Sequence, residues 1–204
     1  QLIPTISAVS GSICSGNPFV IIPSGANTYT ITGGSFTVTP GSTTNYSISG
    51  TSNFGCVGAN TAVATVSVYI TPTVAVASGT LCNGASYAIN PTGASTYTIS
   101  GGNFTISPAV TTSYSITGTS SVGCVSSNTA VSTLSVSPRP TISVTSGSIC
   151  SGNNFVILPS GASTYTFSGG SSTVNPNTTT SYSVSGTSSV GCISSNTAVS
   201  IVSV

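Results

Sequence analysis

Along this chain apolar side chains alternate with Ser and Thr at a period of two. Tyr29 and Ile31, Tyr46 and Ile48, and Val66 and Val68 share one phase, with hydroxyl residues in the other. Such alternation predicts strands of a sheet with one packed and one wet face, because successive side chains on a strand point to opposite sides. The segments that carry it are 5–9, which follows Pro4, 19–22, which stops before Pro23 and Gly25, and 28–32, which stops at Gly33-Gly34. Further ones are 36–39, ending at Pro40-Gly41, then 45–49 and 61–68. Gly33-Gly34 is a two-residue hairpin signal, which pairs 28–32 with 36–39. In 19–22, Phe19 and Ile21 fall in the core phase, and Val20 and Ile22 in the opposite one.

The pattern recurs without insertion or deletion every 68 residues. Pro4, Pro72 and Pro140 are in phase, as are Tyr29, Tyr97 and Tyr165, and Tyr46, Tyr114 and Tyr182. Three units of that length make up the 204 residues. Self-similarity at a fixed period is the signature of a repeat architecture. Three tandem all-β domains are expected, 1–68, 69–136 and 137–204, each a small immunoglobulin-like β-sandwich of six or seven short strands. The junctions (Gln1-Leu2-Ile3, Tyr69-Ile70-Thr71 and Ser137-Pro138-Arg139) are about three residues long, which restricts relative motion of neighbours.

Cys14, Cys82 and Cys150 form one periodic set, and Cys56, Cys124 and Cys192 another. No other side chain suited to zinc is present and no two cysteines lie close together, so disulfides are expected rather than a metal site. A small sandwich has a thin core and benefits from a staple. Four predicted strands separate Cys14 from Cys56, and an even number of reversals returns the chain to the same end. Bridges within repeats are therefore expected: Cys14–Cys56, Cys82–Cys124 and Cys150–Cys192. Pairing between neighbouring repeats stays open. Six strict reversals would also place both ends of a repeat on one side, a zigzag that a strand crossing between sheets, or a seventh strand, would straighten.

Charge changes the picture most. The chain has one Arg and no Lys, Asp, Glu or His. No side chain can act as general base or orienter, which excludes most enzymology and leaves Ser and Thr unactivated. Nucleic acid needs many cations, and Arg139 stands alone. Calcium needs carboxylates, and lysine cross-links need lysine. No apolar run approaches the roughly 20 residues of a membrane span. No catalytic residue, metal or cofactor is expected. The chain begins without a basic, apolar leader, so a signal peptide has been removed or lies outside these residues.

The motif set Ile13-Cys14-x-Gly16, Gly25-Ala26-Asn27-Thr28-Tyr29, Thr43-Thr44-x-Tyr46-x-Ile48, Gly55-Cys56 and Thr61-Ala62-Val63 returns in each repeat, with Gly93 to Tyr97, Gly123-Cys124, Gly161 to Tyr165 and Gly191-Cys192. It resembles the tandem immunoglobulin-like or PKD-like surface repeats of Bacteroidota, large secreted adhesins and surface proteins often exported by type IX secretion. The resemblance implies an extracellular array on a bacterial surface, used for adhesion or as a filament. Two departures stand out: Ile31, Ile99 and Phe167 sit where that family commonly has Trp, and its usual Asp and Lys are missing.

The function expected is structural: a disulfide-stapled array in an extracellular filament, stalk or adhesin, which associates with its own kind. Alternatives are a carbohydrate- or ice-binding module, through outward threonines such as Thr28, Thr30 and Thr32, and a passive spacer presenting another domain. Tyr29 and Tyr46 are expected in the core, Tyr46 at a tyrosine corner. Without charge nothing repels a second copy, and Val20, Ile22, Val156 and Leu158 form a candidate assembly face. The alternative is that 19–22 is buried on both sides. Asn45, Asn103 and Asn177 begin glycosylation sequons at non-equivalent repeat positions, so O-linked sugars on exposed Ser and Thr are the better expectation.

Overall fold

The computed structural model describes residues 2–204, and Gln1 of the first junction lies outside them. It is all-β. Its residues form two compact units, one reaching from the N-terminal repeat to Ala75 with Pro91–Ile99 and Ile116–Ala130, the other made of Val76–Asn90, Ser100–Ser115 and Val131–Val204. The first repeat lies wholly in one unit, the third in the other, and the second contributes to both.

In the first repeat the strands are β1 (Ser7–Ala8), β2 (Gly11–Cys14), β3 (Phe19–Val20), β4 (Pro23–Ser24), β5 (Thr28–Ile31), β6 (Thr37–Val38), β7 (Thr44–Thr51) and β8 (Ala62–Tyr69). One layer is short and interrupted: β1 pairs antiparallel with β4, and β3 with β6. The other is a four-stranded sheet of order β2-β8-β7-β5, in which β2 runs parallel to β8 and the remaining pairs are antiparallel. The opening strand thus contributes β1 to one layer and β2 to the other, an immunoglobulin-like arrangement. Between the layers lie Ile6, Ile21, Ile48, Ala62, Ala64 and Val66, flanked by Phe19, Tyr29, Phe36, Val38 and Tyr46. Val20 and Ile22 point away from this core, so burial of 19–22 on both sides does not hold.

Gly33-Gly34 does not make the expected hairpin. Both glycines have positive φ (89° and 76°), and the Gly34 N–H closes a turn on the Ile31 carbonyl. The turn sends the chain across to the opposite layer, where Phe36 accepts from the Ile21 N–H at 2.8 Å and Val38 pairs with Phe19. Consequently β6 extends the β3 layer and leaves β5 with β7 as its one neighbour. Phe36 and Val38 then close the core over Ile21, burial that a β5–β6 hairpin would not provide.

The middle residues follow the same plan with β9 (Gly79–Cys82), β10 (Tyr87–Ala88), β11 (Thr96–Ile99), β12 (Thr105–Ile106), β13 (Thr112–Thr119) and β14 (Ala130–Ser137). There β9 runs parallel to β14, and β10 pairs with β12. The third repeat has β15 (Ser143–Val144), β16 (Gly147–Ser148), β17 (Phe155–Val156), β18 (Pro159–Ser160), β19 (Thr164–Phe167), β20 (Thr173–Val174), β21 (Thr180–Thr187) and β22 (Ala198–Ser203). Its core is Ile142, Ile157, Val174, Val184 and Val202.

Candidate functional site: bridges between consecutive repeats

The placement of the cysteines follows from the pairing of β2 with β8. Cys14 lies opposite Tyr69, the last residue of β8, at the pole where the repeat hands on to the next. Cys56 lies in the loop from β7 to β8, before β8 begins. Eight residues at about 3.3 Å each separate the two ends of β8, roughly 25 Å, whereas a disulfide needs Cα atoms within about 7 Å. The within-repeat bridges are therefore a wrong expectation. The even count of reversals assumed that 36–39 runs back along 28–32; the crossover at Gly33-Gly34 removes that reversal and sends Cys56 to the far pole.

The bridges join consecutive repeats instead. Cys14 is bonded to Cys124 and Cys82 to Cys192, each pair 110 residues apart, with Cα atoms at 5.6 and 5.5 Å. In each, the cysteine at the C-terminal pole of one repeat meets the loop cysteine at the N-terminal pole of the next. A loop of about 100 residues closed in this way removes roughly 4.7 kcal/mol of chain entropy from the unfolded state. Cys124 and Cys192 are 0% and 1% exposed, while Cys150 is exposed and carries a free thiol.

The loop that holds the second cysteine is built alike in all three repeats. The Cys56 N–H donates to the Ser52 hydroxyl and its carbonyl accepts from the Ser52 N–H; Ser120 serves Cys124, and Ser188 serves Cys192, in the same way. Next to each loop an asparagine clamps the opening strand. The Asn60 side chain accepts from the Ile6 N–H and donates to the Ile6 carbonyl, both at 2.8 Å. Asn128 clamps Val74, and Asn196 clamps Ile142. Backbone bonds from Ala59 to Pro4, from Ser127 to Pro72 and from Ser195 to Pro140 add to this attachment. The clamp was not singled out from sequence, although the signal is there, an Asn before each Thr-Ala-Val at the period of 68.

Arg139 is exposed, and its Nε donates to the Asn83 carbonyl at 3.0 Å, one residue beyond the bonded Cys82. It therefore reinforces a bridged junction rather than merely occupying a linker. Tyr29 and Tyr46 both pack against the core. The hydroxyl anchor is on Tyr29, not Tyr46: it donates to the Ala26 carbonyl and accepts from the Ala26 N–H, as Tyr97 and Tyr165 do with Ala94 and Ala162.

The outward positions of the short layer are Val20 (56% exposed), Ile22 (70%), Val156 (50%) and Leu158 (62%). Ala88 and Asn90 take these places in the middle repeat and are exposed too. Thr28, Thr30 and Thr32 face solvent, but Thr30 shares a hydrogen bond with the Ser49 hydroxyl and Thr32 accepts from the Ser47 N–H. A shallow, open depression is lined by Thr30, Ile31, Thr32, Ser47, Ser49 and Thr61. Asn45, Asn103 and Asn177 are all exposed; Asn45 accepts from Thr65, and Asn177 from Ser151. Among the described residues no helix is long and apolar enough to cross a membrane.

No family model matches the chain, and no curated protein matches it. Solved structures do. A three-domain immunoglobulin fragment of titin, I67–I69 in an E-to-A variant, is 12% identical over 100% of this chain and 99% of its own, with a TM-score of 0.43. A Ca2+-stabilized adhesin with which an Antarctic bacterium binds ice is 12% identical over 97% of this chain and 73% of its own, at 0.40. A 1.5-MDa bacterial ice-binding adhesin is 13% identical over 100% of this chain and 99% of its own, at 0.36. These likenesses are distant, and the immunoglobulin-like assignment stands on the strand order and register.

Proposed function

We propose that the chain is a non-enzymatic structural protein, a segment of an extracellular filament, stalk or adhesin whose modules are residues 1–68, 69–136 and 137–204. One observation carries this reading: the disulfides join consecutive repeats rather than stapling each one. A bridge across a three-residue junction adds a second covalent connection between neighbours, which serves load-bearing or reach rather than chemistry. Disulfides persist in oxidising compartments, which supports a place outside the cell. The resemblance to Bacteroidota surface repeats supports a bacterial surface, with O-linked sugar on the exposed hydroxyls. Val20, Ile22, Val156 and Leu158 form the face through which copies associate, since soluble sheets normally carry charge there and these do not.

Electron microscopy of purified protein tests the role. Filaments or regular bundles support it; dispersed single chains at high concentration would reduce the chain to a spacer. The face is tested by Ile22→Asn with Leu158→Asn. Exposed substitutions of this kind change stability by only about 0.5 kcal/mol, so the melting point holds while assemblies dissolve. Assemblies that survive the double substitution remove this face from the proposal.

A further inference from the structure

We propose that Asn83-Gly84 is a self-modifying site, at which Arg139 promotes closure of the Asn83 side chain onto the Gly84 nitrogen and so converts an amide into a carboxylate. The inference is independent of the array reading above. The chain has one Arg and one Asn-Gly pair, and the fold puts them in contact. The Arg139 Nε donates to the Asn83 carbonyl at 3.0 Å. That oxygen belongs to the peptide group whose nitrogen is Gly84's. When the Gly84 N–H gives up its proton, the negative charge is shared by resonance between the nitrogen and this oxygen. A guanidinium held on the oxygen stabilises that charge, because a hydrogen bond to the charged form of a group favours it.

The turn leaves this reaction open. The Ala85 N–H closes it on the Cys82 carbonyl and the Asn83 N–H donates to the Ser137 carbonyl, both at 2.9 Å, so neither bond occupies the Gly84 N–H. Asn83 and Gly84 are exposed, and nothing lies within 4 Å of where a Gly84 Cβ would stand. The same turn recurs at Ser15-Gly16, where the Ser15 N–H donates to Tyr69 and the Asn17 N–H to Cys14. There a hydroxyl replaces the amide, and Thr71 the arginine. Elsewhere Asn precedes Pro, whose nitrogen has no proton to give, or Thr, Tyr, Phe or Asn, whose side chains crowd the approach. In the reaction the Gly84 nitrogen loses its proton to solvent and bonds to the Asn83 Cγ, and the Cγ–Nδ2 bond breaks with departure of ammonia. Water then opens the cyclic imide, restoring the N–H and leaving a carboxylate, as Asp or as its isomer with the main chain routed through Cβ. The formal charge of the chain falls from +1 to zero. The new acid stands beside Arg139 and next to Cys82, which is bonded to Cys192.

Folded, bridged protein is aged at mildly alkaline pH, digested with pepsin at intervals and mapped by mass, beside Arg139→Gln, Asn83→Ser and samples of each chain aged reduced in urea. The result expected is a carboxylate that accumulates at Asn83 ahead of every other asparagine, with a matching shift on ion exchange that Asn83→Ser lacks. Arg139→Gln slows conversion of the folded protein roughly tenfold, the rate equivalent of one charge-assisted contact, and changes nothing in urea, where the contact is lost. A purely structural role has the opposite sign: an arginine that only held the turn still would slow conversion, and its removal would speed it. Equal or faster conversion in folded Arg139→Gln therefore overturns the inference, as does an Asn83 that stays intact or converts no faster than the other asparagines. An equal slowing in urea overturns it too, because the effect would then lie in the sequence and not in the contact.

Discussion

Stretching the molecule from its ends gives a sharp test of how the cysteines are connected. When every sandwich has been pulled apart, the end-to-end length is set by the shortest covalent path. Through the observed bridges that path runs from the N-terminus to Cys14, across to Cys124, back along the chain to Cys82, across to Cys192, and on to Val204. It contains about 67 residues, which at about 3.6 Å each, with about 5.5 Å for each bridge, gives roughly 250 Å. Fully reduced, the chain reaches about 730 Å on the same scale. Bridges within repeats would give roughly 290 Å, close enough to need a second comparison.

Replacing both Cys14 and Cys124 with Ala supplies it. With the second bridge intact, the path goes along the backbone to Cys82, across, and out from Cys192, about 93 residues and roughly 340 Å. Had the bridges been within repeats, the same variant would keep one loop of about 42 residues closed and extend to roughly 590 Å. Single-molecule force extension with handles at the two termini reads these lengths directly. Oxidised protein that extends beyond about 300 Å, or a double-Ala variant near 590 Å, would refute the connectivity and the polarity argument beneath it.

Other expectations are simpler to measure. Asn128→Ala removes two hydrogen bonds that satisfy the Val74 N–H and carbonyl, and should cost roughly 1–3 kcal/mol in urea denaturation; an unchanged midpoint contradicts the clamp. Gly25→Ala drives a Cβ into the Thr5 carbonyl oxygen at a φ of +101° and should destabilise clearly more than Gly16→Ala, where φ is +88° but nothing lies within 4 Å. With no Asp, Glu, His or Lys in the chain, the melting temperature should stay level between about pH 4 and 7; a slope there would mean an ionic contribution that the composition does not supply. Assemblies should likewise withstand a change from about 0.01 to 1 M salt, which shortens the screening length from about 30 to 3 Å but has almost no charge to act on. Dissolution by salt would point to Arg139 or the chain termini.

The sequence made some of this legible and hid the rest. The period-two alternation placed Ile21 and Ile157 inward and Ile22 and Leu158 outward, because the face a side chain takes depends only on parity along its own strand. Which sheet a strand joins is another matter. Segment 36–39 alternates identically whether it pairs with β5 or with β3, and Gly33-Gly34 permits either path. That single ambiguity carried a large consequence: one missing reversal moves Cys56 from one pole to the other, and with it the whole disulfide pattern. The Asn clamps were visible as a periodic residue, but a short amide in a chain rich in polar side chains gives no sign of having two backbone partners. Tyr29 and Tyr46 were both readable as core, while the choice of which hydroxyl anchors a turn depends on Ala26 lying within reach.

Neutrality and the cross-repeat bridges bear on the same physical question, what the surroundings can do to this molecule. Its outward polar contacts include hydroxyl pairs, such as Ser7 with Ser24, Thr30 with Ser49, Ser113 with Thr133 and Ser143 with Ser160. Those groups neither titrate near neutral pH nor respond to screening, and no carboxylate invites a divalent cation. The cores are small, five or six buried residues in each of the first and third sandwiches, so a single sandwich opens at modest cost. A bridge within each sandwich would stabilise it alone and leave the junction to the peptide chain. Bridges between sandwiches keep neighbours attached even while one of them is open, and hold its ends close enough to refold. Acid, salt and chelators thus find little to act on, whereas reduction removes the second connection at every bridged junction. The thiol–disulfide balance of the surroundings is the variable to which this design leaves the molecule most sensitive.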